Sequence, residues 1–424
     1  MAIPIVLANA TIPILGAVDT AVVGQLGLAV PIGAVGIGAI IITAIYWLFG
    51  FLRMGTTGLT AQAIGSGDKP ETSALLVRGV IIGFTAGLIL IIAQVPIFLG
   101  ALQLSPASME VESLAQKYLQ IRVYSAPAAI ALFGITGWLI AKEKTRAVLL
   151  LQLVLNGINI ALDLVFVLKL GWGVEGVAIA TLIAEWSGLI FGLWLAREGF
   201  NNGYWRNWVQ IFDRARLLQM AKINSDIMIR SILLEIGFVS FLFLGSSFDD
   251  ATLAANQVLI QFLHITAYAL DGFAFAAEAL VGQALGAKNR PLFRRAVIMT
   301  TQWGLGSVIL MALAFFVFGN SIINVMTTAE DVRVVSYEYL PWMVAAPLAG
   351  VAAWMLDGIF IGATRTADMR NMMFISFCIY LIALALLLPS YGNHGLWASL
   401  IIFSIARGVT LGFKYPALEK SSEH

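Results

Sequence analysis

The chain has 424 residues, 60% of them hydrophobic and only 12% charged, with a net charge of +1. A soluble domain is about 25% charged, so a soluble fold is excluded, and basic residues this scattered exclude a nucleic-acid partner. A single cysteine, Cys378, and three histidines leave no disulfide framework and no Cys- or His-built metal centre.

Uncharged apolar runs of about 20 residues, long enough to cross a bilayer, recur from one end to the other. In chain order the predicted spans are 3–26, 32–54, 77–101, 118–141, 147–168 and 174–196, then 227–248, 251–281, 296–318, 337–362, 371–389 and 394–415. The first carries Asp19, six residues after Pro13. It lacks a basic lead and contains an acid, so it is expected to stay in the membrane rather than be cleaved as a signal. Pro13 cannot donate to the carbonyl of Asn9, which predicts a kink or a pliable turn there. The fifth span sets Asn156, Asn159 and Asp163 at i, i+3 and i+7, one polar stripe on one helix face. Thr181 and Glu185 lie in the sixth span and Glu235 in the seventh. In the eighth, His264, Asp271 and Glu278 follow at seven-residue steps and share a face; Asp357 lies in the tenth.

Twelve spans place both termini on one side. The basic residues gather on that side: Lys69 and Arg78, Lys142 to Arg146, Arg197 to Lys222, Lys288 to Arg295, Arg365 and Arg370, Lys414 and Lys420. The opposite loops hold Lys117, Arg122, Lys169 and Arg333. Positive-inside reasoning puts both termini in the cytoplasm. Arg53, Arg230 and Arg407 fall near span ends and are expected to snorkel to the interface.

The chain repeats itself. LTAQAIGSGDKP (Leu59–Pro70) returns as LVGQALGAKNRP (Leu280–Pro291), and one offset of 221 pairs Gln62 with Gln283, Gly65 with Gly286, Gly137 with Gly358 and Gly171 with Gly392. This predicts an N-lobe over 1–196, a cytoplasmic linker over 197–226 and a C-lobe over 227–424. With six spans each, the halves insert in the same sense and are related by a pseudo-twofold along the membrane normal. Parallel repeats of this kind are a transporter architecture.

Seven acids lie inside the spans: Asp19, Asp163, Glu185, Glu235, Asp271, Glu278 and Asp357. A carboxylate at the bilayer centre costs about 2.5–3.5 kcal/mol on insertion scales, so each is expected to face a partner or a cavity. A titrating carboxyl can couple proton flow to a conformational change; one held ionised among neutral oxygens can hold Na⁺. The offset maps Asp163 onto Leu384 and Asp357 onto Thr136, so the acids were not duplicated with the scaffold and the lobes differ in task. Trp138, Tyr268, Phe273 and Trp354 are candidates to line a cavity for flat cations. No nucleotide-binding or zinc-protease motif appears, so neither an enzyme nor an organic cofactor is expected.

The stretches PILGAVDTAVVG (Pro13–Gly24), FLRMGTTGLTAQAIG (Phe51–Gly65), AYALDGFAFAAEALVGQALGA (Ala267–Ala287) and LDGIFIGATRTADMRN (Leu356–Asn371) resemble the multidrug and toxic compound extrusion (MATE) transporters, in their DinF-like branch. The resemblance implies an all-α, V-shaped fold of two six-helix lobes and antiport of organic cations or amphiphiles against H⁺ or Na⁺. Carried across by position, it implies a coupling site at Asp19, Asn159, Asp163 and Thr181; Asn156 is a further candidate from the polar stripe alone. The C-lobe carboxylates used by other branches correspond to Glu235 and Asp357; the spacing along the eighth span, apart from the resemblance, adds Asp271, Glu278 and His264 as further candidates in that lobe. The expected setting is the bacterial inner membrane, as a monomer. In the expected mechanism, protonation of Asp19, coupled to Asp163, reshapes the first helix near Pro13 and releases substrate outward. Na⁺ antiport, lipid-intermediate flipping and a non-transporting membrane protein are the alternatives.

Overall fold

Backbone N–H and C=O groups cannot be left to lipid, so an apolar chain of this kind must satisfy them within each segment. The computed structural model describes residues 1–25, 29–103 and 108–423, and among them the regular structure is helical throughout. The helices are α1 (Ala2–Gly24), α2 (Ala29–Trp47), α3 (Gly50–Gly65), α4 (Lys69–Gln103), α5 (Met109–Arg122), α6 (Ala126–Ala141), α7 (Thr145–Asp163) and α8 (Gly173–Leu195). They continue with α9 (Trp208–Ile211), α10 (Arg214–Gly245), α11 (Asp250–Gly286), α12 (Arg290–Met326), α13 (Glu330–Gly362) and α14 (Thr366–Ser421). Where helices start away from lipid, side chains cap them. Ser108, Asp249 and Asn289 accept from the backbone N–H groups of Val111, Thr252 and Leu292.

Several apolar crossings are built from two pieces. A turn of 3₁₀ helix, Val123–Ser125, joins α5 to α6, and α7 runs into a π turn, Leu164–Lys169. Among the described residues, eleven stretches are long and apolar enough to span. The last of them, α14, is two helices meeting at Gly392, where φ is +53° and ψ −130°; counting it twice restores the expected twelve. The segment 197–226, expected as a linker, is itself largely helical: two 3₁₀ turns and α9 precede α10, which begins at Arg214.

Two compact units divide the chain. The N-terminal unit holds 3–60 and 68–218; the C-terminal unit holds 219–424 together with 1–2 and 61–67. In the first, small residues let α4 and α6 pack closely, and Trp138 fills the space beside them. It is fully buried and its Nε1 donates to the Thr72 carbonyl at 2.9 Å. Trp138 is therefore core, not a cavity wall. The C-terminal unit is centred on aromatic rings: Phe241 meets Trp397 edge-on at 4.4 Å between centroids, and Phe262 meets Phe315 at 4.9 Å.

The repeat is written into the backbone. Left-handed conformations recur at the same offset: Gly67 with Lys288, Glu143 with Thr364, Gly171 with Gly392. So do helix crossings. A Cβ on Gly137 would meet the Arg53 carbonyl at 2.4 Å, and one on Gly358 would meet the Ala274 carbonyl at 2.5 Å. Both pairs obey the 221 spacing. The two halves thus share one scaffold, and what differs between them is the polar residues mounted on it.

Candidate functional site

In the N-terminal unit the polar stripe of α7 faces inward as its spacing predicts: Asn156, Asn159 and Asp163 are all buried. Asn159 Nδ2 donates to Asp163 Oδ2 at 3.1 Å and to Thr181 Oγ1 of α8 at 3.2 Å, while Thr181 donates to the Val177 carbonyl. Asp19 of α1 completes the group, its carboxyl within hydrogen-bonding reach of Asp163. Two adjoining carboxyls can hold a single proton between them. Asp19 Oδ1, Asn159 Oδ1 and Asp163 Oδ1 are buried with no hydrogen-bond partner among the described residues. The site therefore gathers Asp19, Asn159, Asp163 and Thr181 and leaves three oxygens to serve a proton or a small cation. Asn156 stands apart from them. Its Nδ2 donates to Thr11 Oγ1 of α1 at 2.8 Å and its Oδ1 accepts from Gln152. Helix α1 runs unbroken through Pro13.

Next to this group lies a cation whose place in the sequence suggests an outer loop. Arg122, at the end of α5, is buried and forks onto Glu185 of α8, with Nη1 to Oε2 at 2.9 Å and Nη2 to Oε1 at 3.1 Å. Nη1 also reaches Ser125 Oγ at 2.6 Å, and the Tyr46 hydroxyl donates to the Arg122 carbonyl. Arg122 is drawn in because a carboxylate at mid-span offers the partner that an interface would otherwise supply.

The C-terminal unit arranges its acids differently. Asp357 Oδ2 accepts from both Arg230 of α10 and Arg407 of α14, the latter at 2.6 Å. Arg230 and Arg407 are buried and do not snorkel; Arg53 is buried as well. The shared carboxylate overrides their position near span ends. Glu235, on the same helix as Arg230, is exposed and is not brought to Asp357. Along α11 the shared face is not uniform in depth: His264 is exposed, Asp271 half-buried and Glu278 buried. The second set of candidates thus spans every depth from exposed to buried. Tyr268, Phe273 and Trp354 are half-buried, and no cluster of three metal-ligating side chains occurs among the described residues.

The MatE family model matches residues 4–165 and 227–387. The chain is 38% identical over 97% of its length to DNA damage-inducible protein F of Escherichia coli, covering 90% of that protein. This chain belongs to the MatE family. As a MATE protein it is a multi-span membrane transporter of a family that acts on small organic compounds, not an enzyme. It is also 25% identical to a probable multidrug resistance protein NorM of Bacillus cereus, over 83% of this chain and 80% of the other. Its fold matches the bent form of the Vibrio cholerae MATE transporter VcmN with a TM-score of 0.87 at 23% identity, covering 99% of this chain and 95% of that one.

For this MATE chain the signal for the N-terminal group was legible, since polar residues at helical spacing stand out in apolar spans. Thr11, Arg122 and the Arg230–Asp357–Arg407 cluster were missed. The charge signs alone, a basic residue within reach of a span that holds an acid, were the available clue.

Proposed function

We propose that this protein is a secondary active antiporter of the bacterial inner membrane, with both termini cytoplasmic. It exports organic cations and other amphiphiles as a monomer in exchange for entering H⁺. The observation that carries this reading is the adjoining pair Asp19 and Asp163, braced by Asn159 and Thr181. A proton held there removes the repulsion between the two carboxyls; its departure restores it. Asp19 sits on the helix that contains Pro13, whose missing N–H leaves the Asn9 carbonyl without its helical donor, so charge at Asp19 can be converted into bending of α1. Alternating access of the two repeated halves then exposes substrate to either side. Similarity to a probable multidrug resistance protein supports a drug-like substrate.

A second reading rests on the three unpartnered oxygens of Asp19, Asn159 and Asp163. Two carboxylates and an amide carbonyl are a hard-cation donor set, which suits Na⁺ at the same place. Efflux of a fluorescent cationic dye from proteoliposomes, driven by a pH gradient or a Na⁺ gradient applied separately, decides between them. The H⁺ reading expects the pH gradient to drive efflux and Asp19→Asn to lose nearly all of it. Wild-type efflux by that variant would overturn the reading, and absence of any gradient-dependent flux would point to a flippase or a non-transporting protein.

A further inference from the structure

The cluster in the C-terminal unit is unbalanced. Arg230 and Arg407 bring two positive charges to one carboxylate, and Asp357 and Arg230 are the charged groups acting on Arg407. All three side chains are at least nine-tenths buried, yet each keeps 5 to 9% of its surface open. A buried pair built only for stability would be neutral, because an uncompensated charge in a low-dielectric interior costs several kcal/mol. Each guanidinium carries five N–H donors, and among the described residues each spends its hydrogen bonding on Asp357 Oδ2 alone; both Nε atoms are buried without an acceptor. Each arginine reaches Asp357 through a single terminal nitrogen, so the other terminal nitrogen of each is left over within one small cluster, and paired guanidinium donors are what binds a carboxylate or phosphate.

We propose that Arg230 and Arg407 form an oxyanion site, with Asp357 as the clasp that holds them together, and that it takes the acidic group of amphiphilic substrates. Among the amphiphiles that the proposed function exports, the preferred ones then carry an acidic group beside their positive charge. This rests on the transporter reading for its role, but not for its test, which needs no ion gradient.

Equilibrium binding to the purified full chain in detergent would compare rhodamine 6G, an ethyl ester, with the free acid obtained by hydrolysing it. Wild type should bind the acid about tenfold more tightly, the scale of one charge-assisted hydrogen bond. Arg407→Gln and Arg230→Gln each leave Asp357 one partner and bring the cluster to neutrality, so the acid-to-ester ratio should fall toward one. Arg407→Lys, which restores the charge, should recover most of the preference. Equal affinity of wild type for the two dyes overturns the site without any variant. A folded glutamine variant that keeps the wild-type ratio, or a lysine that behaves like the glutamine, also overturns it. Failure of H⁺-driven flux in the liposome assay would leave this ratio untouched.

Discussion

Arg122 of α5 grips Glu185 of α8 through both terminal nitrogens, at 2.9 and 3.1 Å, with side-chain exposures of 7% and 14%. A paired charge at that depth is tolerated only while both members are present. Removing one leaves the other desolvated, at a cost of about 3–5 kcal/mol.

Arg122→Gln and Glu185→Gln are therefore each expected to lower the melting temperature in detergent sharply. The double variant should recover a large part of the loss, because it leaves no orphan charge. Double-mutant analysis of the melts measures this directly; additive losses would mean the two groups do not depend on one another.

What the sequence makes visible and what it hides follow from one distinction. Asn159 and Asp163 are four residues apart on one helix, so periodicity alone puts them on a common face, and their partner Thr181 stands out as a hydroxyl in an apolar span. Arg122 and Glu185 are on helices far apart in sequence, and nothing local shows that they meet. For Arg230 and Arg407, nearness to a span end suggested snorkelling; which way a side chain points around the helix depends on what the neighbouring helix offers, here Asp357. Trp138 reads from sequence as a ring available to a ligand, and only the Thr72 carbonyl beside it explains its burial. The repeat was legible because backbone demands, left-handed turns and glycine crossings, persist when side chains diverge.

The crossing of α3 and α11 offers a second test. A Cβ on Gly65 would lie 2.0 Å from the Gln283 carbonyl oxygen, and one on Gly286 would lie 2.1 Å from that of Gln62, so each repeat's glycine accepts the other's backbone. Neither obstacle is a flexible side chain. Gly65→Ala and Gly286→Ala should each cost at least about 1–3 kcal/mol through forced helix displacement, seen as lower folded yield and melting temperature. Gly36→Ala, where nothing lies within 4 Å of the new methyl, should be neutral or slightly stabilising.

Glu198 sits between Lys144 at 2.6 Å and Lys142 at 3.2 Å, and these ammonium groups hold its carboxyl below the ordinary value of 4.5. A depressed carboxyl adds stability that is present above its unfolded value and is lost as pH falls through the folded one. Glu198→Gln should thus melt slightly below wild type at pH 7, by at most about 1 kcal/mol since the pair is exposed. The two proteins should converge as the pH drops below 4.5. A difference that persists in acid would assign the effect to packing rather than charge.

The two acids Asp163 and Asp357 occupy different environments, and the same chemical change should have opposite consequences in them. Asp163 accepts a hydrogen bond from an amide and adjoins another carboxyl. Asp163→Asn is close in shape, removes a like-charge neighbour from Asp19 and strands no cation. The variant should fold as well as wild type, bind dye in detergent, and lose more than tenfold of its pH-driven efflux in proteoliposomes. Asp357→Asn instead strips the carboxylate from two buried guanidiniums, a loss of about 3–5 kcal/mol for a broken buried pair. Its folded yield should collapse, while whatever folded fraction is reconstituted should still respond to the pH gradient. Measuring yield, melting temperature and gradient-driven flux on both variants assigns coupling to one unit and clasping to the other. A stable Asp357→Asn that no longer responds to the gradient would reverse the assignment.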